Sequence, residues 1–146
     1  MRSIKDVEAY LGRLNRRFEQ VEGQEGTFLV RSSDGERMPP IAIRVDAPLV
    51  VFRVHVGDAP KADHVSLFRK LLELNARSLV HTSFGLEDDR IVLCSALELE
   101  NLDFNELEAT LDEIDLALAQ HVPSLMELIK SKGSPAEGPA RKLKKD

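Results

Sequence analysis

Residues 71–99 read LLELNARSLVHTSFGLEDDRIVLCSALEL, and within this stretch the spacing of apolar residues changes from helical to alternating. The opening residues close a helix that the pattern places from about Asp63 to Leu79. At 100° per residue, Val65, Leu67, Phe68, Leu71, Leu72, Leu74, Ala76 and Leu79 cover an arc of about 200°, twice the stripe of about 100° that suffices to lie on one sheet. Ser66, Arg69, Lys70, Glu73 and Arg77 fill the remaining side. Such a helix needs two apolar neighbours: the sheet, and either other helices of its own chain or a second copy. Val80, Thr82, Phe84 and Leu86 then alternate as a strand, Glu87-Asp88-Asp89 forms a tight acidic turn, and Arg90 to Leu97 makes the returning strand of a hairpin.

Upstream, Ser3 can cap a helix over about residues 4–20, with Asp6 in the capping-box position and Ile4, Val7, Leu11, Leu14 and Phe18 at three- and four-residue steps. Gly23 and Gly26 break this pattern. Thr27 to Arg31 has the β-branched and aromatic content of a strand ending at Ser32-Ser33-Asp34-Gly35. Ile41, Ile43 and Val45 alternate with Ala42, Arg44 and Asp46, and after Ala47-Pro48 a further strand runs from Leu49 to Val56. The short turns imply an antiparallel meander.

Downstream, Asp103 caps a last helix with Glu106 three residues on and Leu107, Leu111, Ile114 and Leu118 on one face. Pro123 implies a kink or a restart before Leu125, Met126, Leu128 and Ile129. From Lys132 onward five bases stand against two acids, and Pro135, Gly138 and Pro139 interrupt any regular structure. The expected organisation is one α+β domain over residues 1–131, a five-stranded antiparallel sheet in the order α-β-β-β-α-β-β-α, followed by a disordered basic tail over 132–146.

The 146 residues suffice for one core without metal or disulfide support, and no apolar run approaches the ~20 residues of a membrane span. The first residues enter an amphipathic pattern containing acids, so the chain is expected to remain in the cytoplasm. A net charge of −5, more negative still without the tail, argues against nucleic acid, whose binding needs a cationic face. Cys94 is the sole cysteine and falls in an apolar strand pattern, where it reads as a small buried thiol.

Few residues of the chain are spaced for chemistry. His55, His64, His81 and His121 lie in four different elements, without the local spacing of a zinc site. No glycine-rich loop leads into a helix with a phosphate-binding lysine, and Ser83-Phe84-Gly85 lacks the glycine that a nucleophile elbow requires. On the last helix Glu108, Asp112 and Asp115 fall opposite the leucine face and read as solvated surface. Glu87-Asp88-Asp89 lacks the ligand spacing of a calcium loop. No catalytic residue, cofactor or metal is expected. The strand from Leu49 to Val56 is more specific: Leu49, Val51, Arg53 and His55 share one face, and Val50, Phe52, Val54 and Val56 the other. If helices cover one face, the other leaves Leu49 and Val51 beside Ala42, with Arg44 and Arg53 nearby, as a docking surface. The competing reading is a central strand covered on both sides by its own chain.

The order helix, three strands, helix, hairpin, helix, and above all the stretch from Leu71 to Leu99, resembles the class I type III secretion chaperones of bacteria, the CesT (Tir chaperone) group, and the related YbjN-like proteins. The likeness runs from Ser3 to about Ile129. It implies an acidic homodimer with a strongly curved sheet that holds an extended segment of a client protein in grooves formed by the first helix and first three strands. Carried onto this sequence, the client would meet Ala42, Arg44, Leu49, Val51 and Arg53, and Leu11 and Leu14 if these are not core. The dimer contact would use Leu67, Leu71 and Leu74, or the second strand of the hairpin. The basic tail departs from the secretion chaperones and favours the YbjN-like relatives. A regulatory domain binding a small ligand in the concavity of the sheet is the alternative, and an enzyme comes third.

Overall fold

Ser3 and Asp6 form the reciprocal capping box that opens α1 (Ile4–Arg13), with each residue's side chain bonded to the other's backbone N–H. In the computed structural model, which describes residues 2–33, 37–62 and 64–133, this helix stops at Leu14, short of the expected residue 20. Phe18 instead begins a short strand, β1 (Phe18–Gln20), and packs edge-on against Phe28 with ring centroids 6.3 Å apart. The sheet therefore has six strands where five were expected. Its other members are β2 (Thr27–Val30), β3 (Ile41–Asp46), β4 (Leu49–Asp58), β5 (Ser83–Glu87) and β6 (Arg90–Glu98).

All pairings are antiparallel, and the order across the sheet is β1-β2-β3-β4-β6-β5. The hairpin expected around the acidic turn is present, with Glu87 opposite Arg90 and Asp88 at φ 54°. Val80 lies outside it and is exposed, because the alternation that begins at Thr82 and Phe84 does not extend back to it.

Two further helices are described, α2 (Val65–Arg77) and α3 (Phe104–Gly133). Asp103 and Glu106 cap α3 through reciprocal bonds of 2.8 and 3.1 Å, as expected. The helix runs unbroken through Pro123, with neither restart nor second cap. Leu118 before the proline and Leu125 after it are both buried in the same core, so both halves of the helix are held by packing.

That core has one side. Phe28, Ile41, Ile43, Phe52, Val54 and Leu93 project from one face of the sheet into a single cluster with Val7 and Leu11 of α1, Leu67, Leu71 and Leu74 of α2, and the leucines of α3. All three helices thus cover the same face, and the alternation Val50-Phe52-Val54-Val56 read from the sequence is the buried half of β4. The tail residues 134–146, Asp34-Gly35 of the expected β2 turn and Asp63 at the expected helix start lie outside the described residues.

Candidate functional site: the uncovered sheet face and its β1 edge

Because side chains alternate along a strand, the face opposite the helices is set by register alone. Ala42 pairs with Arg53, and Arg53 with Cys94; Arg44 pairs with Val51, and Val51 with Ala96; Leu49 lies between Asp46 and Glu98. The five residues expected to meet a client are therefore neighbours on one surface. Ala42 and Val51 are half-buried by adjacent side chains, Leu49 is 40% exposed, and Arg44 and Arg53 are exposed. No described helix covers them. Val92, opposite both His55 and Gly85, is the buried exception.

Charges organise the β5 side of this face. The Arg53 guanidinium donates to Glu87 Oε2 at 2.6 Å, Arg90 stands 3.8 Å from the same carboxylate, and His55 Nε2 lies 3.0 Å from Asp58 Oδ1. Arg53 is thus partly neutralised, whereas Arg44 has no ion-pair partner among the described residues.

The two edges differ. At β5, the side-chain amide of Asn75 on α2 accepts from the Phe84 N–H at 2.7 Å and donates to the Phe84 C=O at 3.0 Å. One side chain thereby satisfies both outward backbone groups of Phe84, the second residue of this strand, which hinders edge pairing there. At β1 the ladder is anchored by bonds from Arg31 N–H to Arg17 C=O and from Val21 N–H to Thr27 C=O. By alternation, the N–H and C=O groups of Phe18 and Gln20 point away from β2, and nothing in the described chain pairs with them.

Two adjoining shallow clefts flank this free edge. One of about 390 Å³ is lined by Arg16, Arg17, Phe18, Glu19, Leu29 and Arg31. Its neighbour of about 430 Å³ adds Leu14, Asn15, Ser32 and Ser33. Arg16 is largely buried and held by Asp115 at 2.6 Å and Asp112 at 3.0 Å, and it donates to the Arg31 carbonyl. Asp115 therefore does not belong to solvated surface: α3 turns it toward the start of β1, where Arg16 and the Ser33 N–H meet it. Of the two helix-one residues the resemblance brought in, Leu11 is core and Leu14 lines the cleft.

The leucines assigned to a dimer contact require a correction of place. Leu67 is fully buried and Leu71 and Leu74 nearly so within a single chain, because this side of α2 faces the sheet. The other half of the wide arc is what remains uncovered. Val65 and Leu72 are 75% and 67% exposed, and with Phe68 and Ala76 they line an apolar groove of about 590 Å³ rimmed by Arg69, Glu73 and Arg77.

The histidines stay apart, and no group of three metal-ligating side chains forms among the described residues. His121 is half-buried, its ring centroid 6.5 Å from that of Phe84 in an edge contact; desolvation, with Lys70 nearby, lowers its pKa below the usual 6.5. No described helix is long and apolar enough to cross a membrane.

The described residues form an α+β layer whose three helices cover one face of the sheet and leave the other face bare. The chain belongs to the CesT_Tir_1 family, a chaperone family, whose profile matches residues 1–131. Among solved structures it is similar in fold to a chain of the heterodimeric ExoU-SpcU complex from the type III secretion system of Pseudomonas aeruginosa. That match has a TM-score of 0.62 at 18% identity and covers 80% of this chain and 95% of the other. YbjN from E. coli matches with a TM-score of 0.57 at 13% identity, covering 89% and 90%. The HopA1-SchA chaperone-effector complex matches with a TM-score of 0.51 at 11% identity, covering 88% and 91%. No curated protein matches in sequence.

Proposed function

We propose that this protein is a chaperone that, as a homodimer, holds an extended segment of a partner protein against the uncovered face of β1–β4. The observation that carries this reading is the imbalance between the two faces. One is sealed by three helices over a continuous core, while the other presents Leu29, Ala42, Leu49 and Val51 without cover. An extended guest that crosses this face sets apolar side chains on that strip, and the part of it that reaches the β1 edge gains main-chain hydrogen bonds there. Family membership and the chaperone complexes among the fold neighbours favour a protein as the guest. A second copy is best accommodated on the Val65, Phe68 and Leu72 side of α2, since the Leu67, Leu71 and Leu74 side is occupied.

Val51→Asp tests the reading, because it places a charge in the centre of the strip without touching the core. In affinity capture from the source cell followed by mass spectrometry, a partner held by the wild type should be lost with the variant, while circular dichroism and the urea midpoint stay unchanged. Retention of that partner by the folded variant would remove this face as the binding surface.

A further inference from the structure

The open edge carries a charge arrangement that specifies more than a generic extended guest. Arg17 and Arg31 sit opposite each other across the β1–β2 ladder, joined by the 2.9 Å bond from Arg31 N–H to Arg17 C=O. By strand alternation both belong to the uncovered face, in the row next to Glu19 and Leu29. Like charges directly opposite each other oppose pairing. Neither arginine has an ion-pair partner among the described residues, and the cleft's third arginine, Arg16, is already neutralised by Asp112 and Asp115. Glu19 is the one acid lining this cleft. Past the far end of β1, Glu22 and Glu25 are exposed and line a separate shallow cleft with Gln20 and Val21. The free edge therefore runs from positive at Arg17 to negative at Glu22.

Resting on the reading that this face receives an extended protein segment, we infer that the segment is acidic at one end and that its carboxylates dock on the Arg17–Arg31 pair. Every pairing in the sheet is antiparallel. A guest continuing that arrangement runs against β1, which brings its C-terminal end to Arg17 and Arg31 and its N-terminal end to Glu22. Planar guanidinium groups suit carboxylates because they donate parallel N–H groups to both oxygens. A protein guest is favoured over a polyanion such as single-stranded DNA because the adjoining edge offers unpaired backbone N–H and C=O groups, and because the chain as a whole is acidic.

Fluorescence anisotropy with short labelled peptides of alternating Val and Thr, amidated at the C-terminus, tests this on the full chain. One peptide carries Glu-Glu at its C-terminal end, a second carries the same residues at its N-terminal end, and a third has Gln-Gln in place of Glu-Glu. The C-terminal acidic peptide should bind about fivefold more tightly than the neutral one. That advantage should disappear in the double variant Arg17→Gln, Arg31→Gln, which still binds the neutral peptide. Equal binding of acidic and neutral peptides overturns the charge assignment while leaving strand capture intact. Tighter binding of the N-terminal acidic peptide overturns the antiparallel direction. An oligo-dT strand that displaces the acidic peptide at lower concentration than unlabelled peptide overturns a protein source. Failure of all three peptides to bind refutes strand capture itself and this inference with it.

Discussion

Arg16 ties the start of β1 to α3 across 96 residues of sequence, and the two carboxylates that hold it stand in different surroundings. Asp115 is nearly as buried as the guanidinium, whereas the Asp112 side chain is 69% exposed. Removing one member of a buried pair strands the other without compensation, whereas a solvated partner contributes little. Arg16→Met should therefore lower the unfolding free energy by about 3 kcal/mol, and Asp112→Asn by less than about 1 kcal/mol, both read by urea denaturation. Nothing local in the sequence marks this pair: Asp115 sits among seven other acids between Glu98 and Asp115, and periodicity places it away from the leucines. His121 gives a pH effect with a definite sign. Its pKa is lowered in the folded state, so the unfolded chain takes up the proton first and stability falls as the pH drops below 6.5. The urea midpoint should decline between about pH 7 and about pH 5, with a shallower decline in His121→Gln.

At the scale of elements, the alternating patterns were readable and the short ones were not. Val50, Phe52, Val54 and Val56 alternate over enough residues for the register to have one solution, and the buried face of β4 follows it. A strand of three residues has no period to detect, so Phe18, four residues after Leu14, reads equally well as one more helical turn. That misreading also hid Arg17, whose place on the open face exists only once β1 pairs with β2. Asn75 shows a similar limit: its type and position are visible in the sequence, but its role depends on Phe84 of a different element. Asn75→Leu should destabilise the protein by about 2 kcal/mol through two unpaired backbone groups. It should also raise concentration-dependent association above that of the wild type, measured by sedimentation velocity.

At the scale of the whole molecule, the 200° arc of α2 called for more apolar cover than the sheet provides but did not say which half would face the sheet. Both halves are leucine-bearing, and only the docking of α2 on the sheet assigns Leu67, Leu71 and Leu74 inward and Val65 and Leu72 outward. The adjacent leucines 71 and 72 should therefore behave differently. Leu71→Ala should cost about 3 kcal/mol of stability as a core cavity. Leu72→Asp should leave the unfolding midpoint within about 0.5 kcal/mol of wild type and shift the mass seen by light scattering from dimer to monomer. An unshifted mass, or a monomeric wild type, would place any self-contact elsewhere. That Ala42, Arg44, Leu49, Val51 and Arg53 share one face was easier to read than the orientation of α2, because strand parity alone groups them.

The asymmetry of the sheet's two borders sets an upper limit on assembly. With the Asn75 amide clamped on Phe84 of β5 and the outward groups of Phe18 and Gln20 unpaired among the described residues, a visiting strand finds its freer berth at β1, and its own far side is where another could follow. Loading should therefore saturate at one guest for each copy of the chain, and a guest whose outer margin carries charge or proline would end the stack there.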